Sequence, residues 1–110
     1  MEVRPREVDV YLTPEGRSPF DDWLSEMKDR VGRISIDMRV NKLRRGLIGD
    51  FDDVGDGVME LRFHGPGPGY RIYCVDDGAS ILILLGGTKK TQKADIVRAK
   101  SYWTAYQGER

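Results

Sequence analysis

Arg62, His64, Arg71, Lys89 and Lys90 are the side chains here whose types and spacing suit phosphate binding and proton transfer. Around the first three, hydrophobicity runs with a period of two. Met59, Leu61 and Phe63 alternate with Glu60, Arg62 and His64, the pattern of a strand with one buried face. Gly65-Pro66-Gly67-Pro68-Gly69 is turn material, and Tyr70 to Val75 resumes as strand. If His64 pairs opposite Gly69, Arg62 falls opposite Arg71 and Glu60 opposite Tyr73, all on one face. Like charges directly opposed in a sheet are unfavourable. The pattern therefore implies a bound anion, relief of both arginines by Glu60, or a register displaced by one residue. His64 is the sole histidine. An unperturbed histidine titrates at pH ~6.5 and can serve as acid or base, although a lone histidine at a strand end also reads as a plain surface residue. One histidine and one cysteine do not make a structural zinc site, and no metal is expected. A second anion-friendly segment is Gly86-Gly87-Thr88-Lys89-Lys90-Thr91, where backbone N–H groups, two lysines and a helix start coincide. Its spacing is not that of a P-loop, and it reads equally as an ordinary strand-to-helix connection.

The elements that must position these residues follow from the same patterns. Val8, Val10 and Leu12 alternate with Asp9 and Tyr11 in a first strand over 7–13. Ser18 at the N-cap, Pro19 at the first helical position and Asp21 and Asp22 at the positive end of the dipole start a helix expected to run to about Arg30. Gly32 is expected to punctuate an αα-hairpin. A second helix then carries Ile34, Ile36, Met38, Val40, Leu43 and Leu47, and ends at Gly46 or Gly49. Its other face is basic, with Arg30, Arg33, Arg39, Lys42, Arg44 and Arg45, and reads most simply as solvated. Asp50, Asp52, Asp53 and Asp56 form an acidic loop. After the hairpin, Asp76-Asp77-Gly78 turns the chain into Ile81 to Leu85, an apolar run suited to a sheet centre covered on both faces. Thr91 caps a last helix with Ile96, Ala99, Tyr102, Trp103 and Tyr106 on one stripe, a core stripe. The order is β-α-α-β-β-β-α.

The 110 residues fit one α/β (α+β) domain, residues 1–110. Such a domain buries roughly two-thirds of its unfolded surface and needs no disulfide. Cys74 reads as a small buried hydrophobe. No apolar run approaches the ~18 residues of a membrane span, and Met1 to Val10 lacks the apolar stretch of a signal peptide. A cytoplasmic location is expected. Basic and acidic residues number 18 each, which argues against a uniformly basic nucleic-acid binder. The charges are segregated, however: residues 1–57 hold 10 basic and 13 acidic side chains, residues 58–110 hold 8 and 5.

Several spaced motifs together resemble a known family. These are Glu60-Leu61-Arg62-Phe63-His64, then Gly69-Tyr70-Arg71-Ile72-Tyr73, then Gly86-Gly87-Thr88-Lys89-Lys90-Thr91-Gln92, and Asp95-Ile96 through Ala99-Lys100-Ser101-Tyr102-Trp103. The order resembles the RelE/ParE toxin superfamily, in particular the HigB-like addiction-module killer proteins, whose relatives include phage-derived members. The resemblance implies a small antiparallel sheet of four strands flanked by helices. It implies a cognate antitoxin, expected to be a small helix-turn-helix protein, and ribosome-dependent cleavage of mRNA by a metal-independent endoribonuclease without a cofactor. It places Arg71 at the scissile phosphate, Arg62 in the preceding strand where such enzymes carry basic residues, and Lys89 and Lys90 in the loop that carries another. Beside the resemblance, our own reading assigns His64 to proton transfer and Lys89, Lys90 and Tyr73 to substrate binding. Two other readings stay open: a ParE-like inhibitor of a protein target such as gyrase, and a non-catalytic, antitoxin-binding phage-derived protein.

Overall fold

The computed structural model describes residues 4–109. Strand β1 (Glu7–Val10) leads into helices α1 (Pro19–Glu26) and α2 (Arg30–Arg44). Strands β2 (Phe51–Asp53), β3 (Met59–Arg62), β4 (Arg71–Asp76) and β5 (Ser80–Gly87) follow, and a single 3₁₀ turn (Lys89–Thr91) opens α3 (Gln92–Gly108). The α+β class and the order of the expected elements hold, with one short strand added. The sheet has five strands in the order β1-β5-β4-β3-β2, and β1 lies parallel to β5 while the other pairs are antiparallel. The four-stranded, wholly antiparallel expectation is corrected on both counts. β2 arises from the supposed acidic loop. Asp52 pairs opposite Glu60, so its carboxylate falls diagonally beside Arg62 and forms an ion pair with it, a cross-strand contact that favours pairing over loop.

The sheet is the middle of three layers. Leu61, Ile72, Cys74, Ile81 and Ile83 face α1 and α2, packing on Phe20, Ile36, Val40 and Leu43. Tyr73, Val75, Leu82, Leu84 and Leu85 face Ala99 and the aromatic stripe of α3. A register shift between Tyr73 and Cys74 accompanies two adjacent leucines, Leu84 and Leu85, in that second cluster. β5 is buried along its whole length, as its apolar run requires. Tyr102 stacks on Tyr11 at 4.9 Å between centroids. Cys74 is buried, which pushes its thiol up to about 12.

α1 begins as expected, with Ser18 Oγ accepting from the Asp21 N–H at 3.1 Å, but it ends four residues early. Met27 turns extended, and Asp29 caps α2 by accepting from the Gly32 N–H at 3.0 Å. Gly32 is therefore not the hinge. It lies in the first turn of α2, where a Cβ would come 2.5 Å from the Tyr70 ring. The Tyr70 hydroxyl donates to Asp29 at 2.7 Å and so ties the β3–β4 hairpin to α2. Burial, with the Asp29 bond, pushes the Tyr70 phenol up to about 12, and the Gly32 and Tyr70 bonds hold the Asp29 carboxyl below its ordinary value. The core face of α2 is Gly32, Ile36, Val40 and Leu43. Ile34 and Met38, expected on it, stand exposed, because a two-residue offset carries a helical side chain about 200° round the axis.

Candidate functional site at the β3–β4 hairpin

The alternation of β3 and β4 sets the site. Arg62 lies opposite Arg71 and Glu60 opposite Tyr73, the register that the glycine–proline turn and the strand period imply. Two guanidinium groups are thus forced together, and the sheet answers with a carboxylate. Glu60 has no exposed surface. Its Oε1 accepts from Arg62 Nε at 3.2 Å, and its Oε2 accepts from the Tyr73 hydroxyl at 3.0 Å and from Gln92 Nε2 at 2.9 Å. Arg71 Nε lies 3.7 Å from the same Oε2, beyond hydrogen-bond reach, and is buried with no hydrogen-bond partner among the described residues. A buried carboxylate is tolerable only when its lone pairs are filled and a cation stands close. Three donors and two arginines meet that requirement here.

Arg71 is held lengthwise along the strand end, its Nη1 donating to the Gly69 carbonyl at 2.7 Å with the side chain 12% exposed. Gly69 (φ +74°) is needed at this point: a Cβ would lie 3.0 Å from Arg71 Nη1 and 3.1 Å from Lys89 Cβ. Arg71 and Lys89 therefore flank one glycine, and the Lys89 N–H donates to Pro68 at 3.3 Å. Lys90 is exposed on the same 3₁₀ turn. The turn is fixed from beneath. Thr91 Oγ1 accepts from the Thr88 N–H at 3.2 Å and donates to buried Asp95 at 2.5 Å, and Gly87 leaves space for that carboxylate, whose Oδ2 a Cβ would meet at 1.9 Å.

Tyr73 is not at the surface. Expected to bind substrate, it is fully buried, because the face it shares with Arg71 is covered by α3. Its hydroxyl serves Glu60, and burial followed by the Glu60 charge raises its pKa.

His64 sits on the other side of the hairpin end. Its imidazole is three-quarters exposed, and its Nε2 lies 2.6 Å from Asp50 Oδ2. That bond holds the Asp50 carboxyl below its ordinary pKa, with Arg62 and Arg39 adding to the effect. A cavity of ≈ 260 Å³ opens between Arg62, His64 and Asp50 on the sheet side and Met38, Arg39 and Lys42 on α2. Arg39, expected on a solvated face, is half-buried. It donates to the carbonyls of Ile48, Asp50 and Arg62, at 2.7 Å for Asp50 and 2.8 Å for Arg62, and lies over the Phe63 ring. Burial lowers its pKa. One side chain thereby pins both the residue that carries the His64 partner and the end of β3.

The structure thus gathers Arg62, Arg71 and Lys89 around Glu60 and Gly69, and brings His64 near them through Arg62, which lines the same cavity and whose N–H donates to the Asp50 carbonyl at 3.5 Å. Glu60 was legible from the same register that paired the arginines. Asp50 and Gln92 carry no periodic signal and were not. Among the described residues, no three His, Cys, Asp or Glu side chains are grouped so as to hold a metal ion, and no helix is long and apolar enough to cross a membrane.

Fold and site define a small α+β protein with a cationic hairpin at one end of a mixed five-stranded sheet. The profile of the family described as Phage derived protein Gp49-like (DUF891) matches residues 22–101, and the chain belongs to that family. The match runs from within α1 to within α3 and contains every residue of the site. A protein of Haemophilus influenzae, described only as uncharacterized, is 42% identical over 82 residues, which is 74% of this chain and 82% of that one. No solved structure matches the chain.

Proposed function

We propose that this protein is the toxin of a type II toxin–antitoxin pair, HigB-like within the RelE/ParE superfamily, and that it cleaves messenger RNA on the ribosome in the cytoplasm. One observation carries the reading. Arg62 and Arg71 are held face to face by a buried carboxylate, at a sheet end where Lys89 and Lys90 add positive charge. Cations fixed in advance at a developing phosphorane are worth most because they need no rearrangement during reaction.

In the cleavage, a ribose 2′-oxygen bonds to the adjacent phosphorus as the bond to the 5′-oxygen breaks. One proton leaves the 2′-hydroxyl and one reaches the departing 5′-oxygen. His64 is assigned to this proton transfer, with Asp50 orienting its ring and balancing its charge when protonated. Arg71 and Arg62 stabilise the phosphorane oxygens, and Lys89 and Lys90 bind flanking phosphates. The partner of this reading is a cognate antitoxin.

A second reading draws on Arg62 itself, whose guanidinium is engaged by Asp52 and Glu60 together. A cation so neutralised suits a ParE-like inhibitor that acts on a protein target without proton transfer. Induced expression in a bacterial host separates the two, with translated messages mapped for the wild type, Arg71→Ala and His64→Ala. Cleavage that both substitutions abolish is the expected result. Growth arrest with intact messages would overturn the nuclease and favour the second reading.

A further inference from the structure

The outward ridge of α2 has no partner among the described residues. Opposite its core face, Val31, Ile34 and Met38 stand 71%, 57% and 56% exposed. Steps of three and four residues put them in one line along the helix. Continued by the same steps, that line reaches Lys42 and then Arg45. Both are exposed, and neither forms an ion pair among the described residues. One ridge is therefore apolar over its first half and cationic over its second. Met38 and Lys42 also form the α2 wall of the cavity that holds His64 and Arg62, so ridge and cavity are one continuous surface.

We infer that this ridge docks an amphipathic helix from a partner protein, with apolar residues that cover Val31, Ile34 and Met38 and acidic residues that meet Lys42 and Arg45. Other occupants fit only half of it. A nucleic acid satisfies the cations but leaves three apolar side chains in water. A second copy of the chain brings Lys42 and Arg45 against an equally basic face. A partner helix with apolar residues at three- and four-residue spacing buries the first half, where Met38 adapts its shape, and acidic side chains neutralise the second. Its acidic end then overhangs the His64 cavity. Docking stands independently of the activity; its consequence, that the partner shields the site, rests on the toxin reading.

The test uses the purified full chain and a labelled synthetic helix of about 18 residues, long enough to be helical when bound, with leucines at the stated spacing and glutamates over its last turns. The control peptide carries lysines instead of the glutamates. Fluorescence anisotropy is expected to show the acidic peptide binding at least tenfold more tightly than the basic one. Ile34→Glu with Met38→Glu should remove the binding. Lys42→Glu with Arg45→Glu should weaken it about tenfold at 0.1 M salt and less at high salt, as expected of charges in reach of the Debye length. Val97→Glu, on the exposed side of α3, should change nothing, and thermal melts of all variants should match the wild type. Equal binding of the two peptides, no binding, or binding that survives Ile34→Glu with Met38→Glu would each overturn the assignment. So would self-association abolished by those substitutions, or preferential binding of a short RNA to this face. Because the readout is affinity and not growth arrest, a failed toxin reading leaves this result interpretable, and the reverse holds equally.

Discussion

On the α3 side of the β3–β4 hairpin, a carboxylate with no exposed surface holds Arg62, Tyr73 and Gln92. On the α2 side, His64 and Asp50 meet with 75% and 59% of their side chains in water. Both pairs are acid–base contacts of one short segment, yet their energetics differ. A buried charge is tied to the fold, since removing it strands its partners in a medium of low dielectric. An exposed pair is screened and adds little to stability. The hairpin thus keeps its buried carboxylate and its exposed pair on opposite faces, with Arg62 linked to both, by its guanidinium to Glu60 and by its N–H to the Asp50 carbonyl.

The strongest way to break this contrast is Glu60→Ala, which leaves two opposed arginines without their counter-charge and a phenol and an amide without their acceptor. A loss of about 3–5 kcal/mol is expected in denaturant unfolding, and a loss under 1 kcal/mol would show that Glu60 does not organise this face. Next in size, Arg71→Ala should slow message cleavage by about 10²–10³, the cost typical of a lost transition-state donor, while the folded fraction is retained. A cleavage rate within a fewfold of wild type removes Arg71 from the chemistry. A third test uses Tyr70, whose phenol is pushed up to about 12. A raised native pKa contributes stability in full below the ordinary value near 10, and that contribution is lost as pH rises toward 12. Tyrosine absorbance of wild type minus Tyr70→Phe should therefore titrate near 12; a midpoint near 10 would mean that the hairpin is not locked to Asp29. The smallest effect belongs to the exposed pair. His64→Ala should alter stability by no more than about 0.5 kcal/mol, and by NMR it should move the depressed Asp50 titration upward toward an ordinary carboxylate.

What the sequence made legible was whatever depends on period and on glycine. The hairpin register, the interior position of β5 and the aromatic core stripe of α3 all follow from spacing, and all are present. Strand direction is not encoded in spacing, so the parallel pairing of β1 with β5 could not be read. β2 was hidden because Asp52 and Asp53 carry no apolar alternation; its pairing comes from Arg62, nine or more residues later. Arg39 misled for a related reason. A long cationic side chain on a polar helix face can still fold inward when three carbonyls wait for it. Of the site, Arg62, Arg71 and Lys89 came from residue type and register. The burial of Tyr73 and the Asp50 partner of His64 depend on which helix covers which face, and only the assembled layers decide that.

The pairing of Glu7 with Ser80 has a kinetic meaning. β1 pairs with a strand about 70 residues further along the chain, across α1, α2 and the rest of the sheet. The β3–β4–β5 meander closes through short loops and can form early, but joining β1 to it closes a long loop at an entropic cost. The meander with its charged hairpin is therefore expected to form before the β1 edge joins the sheet.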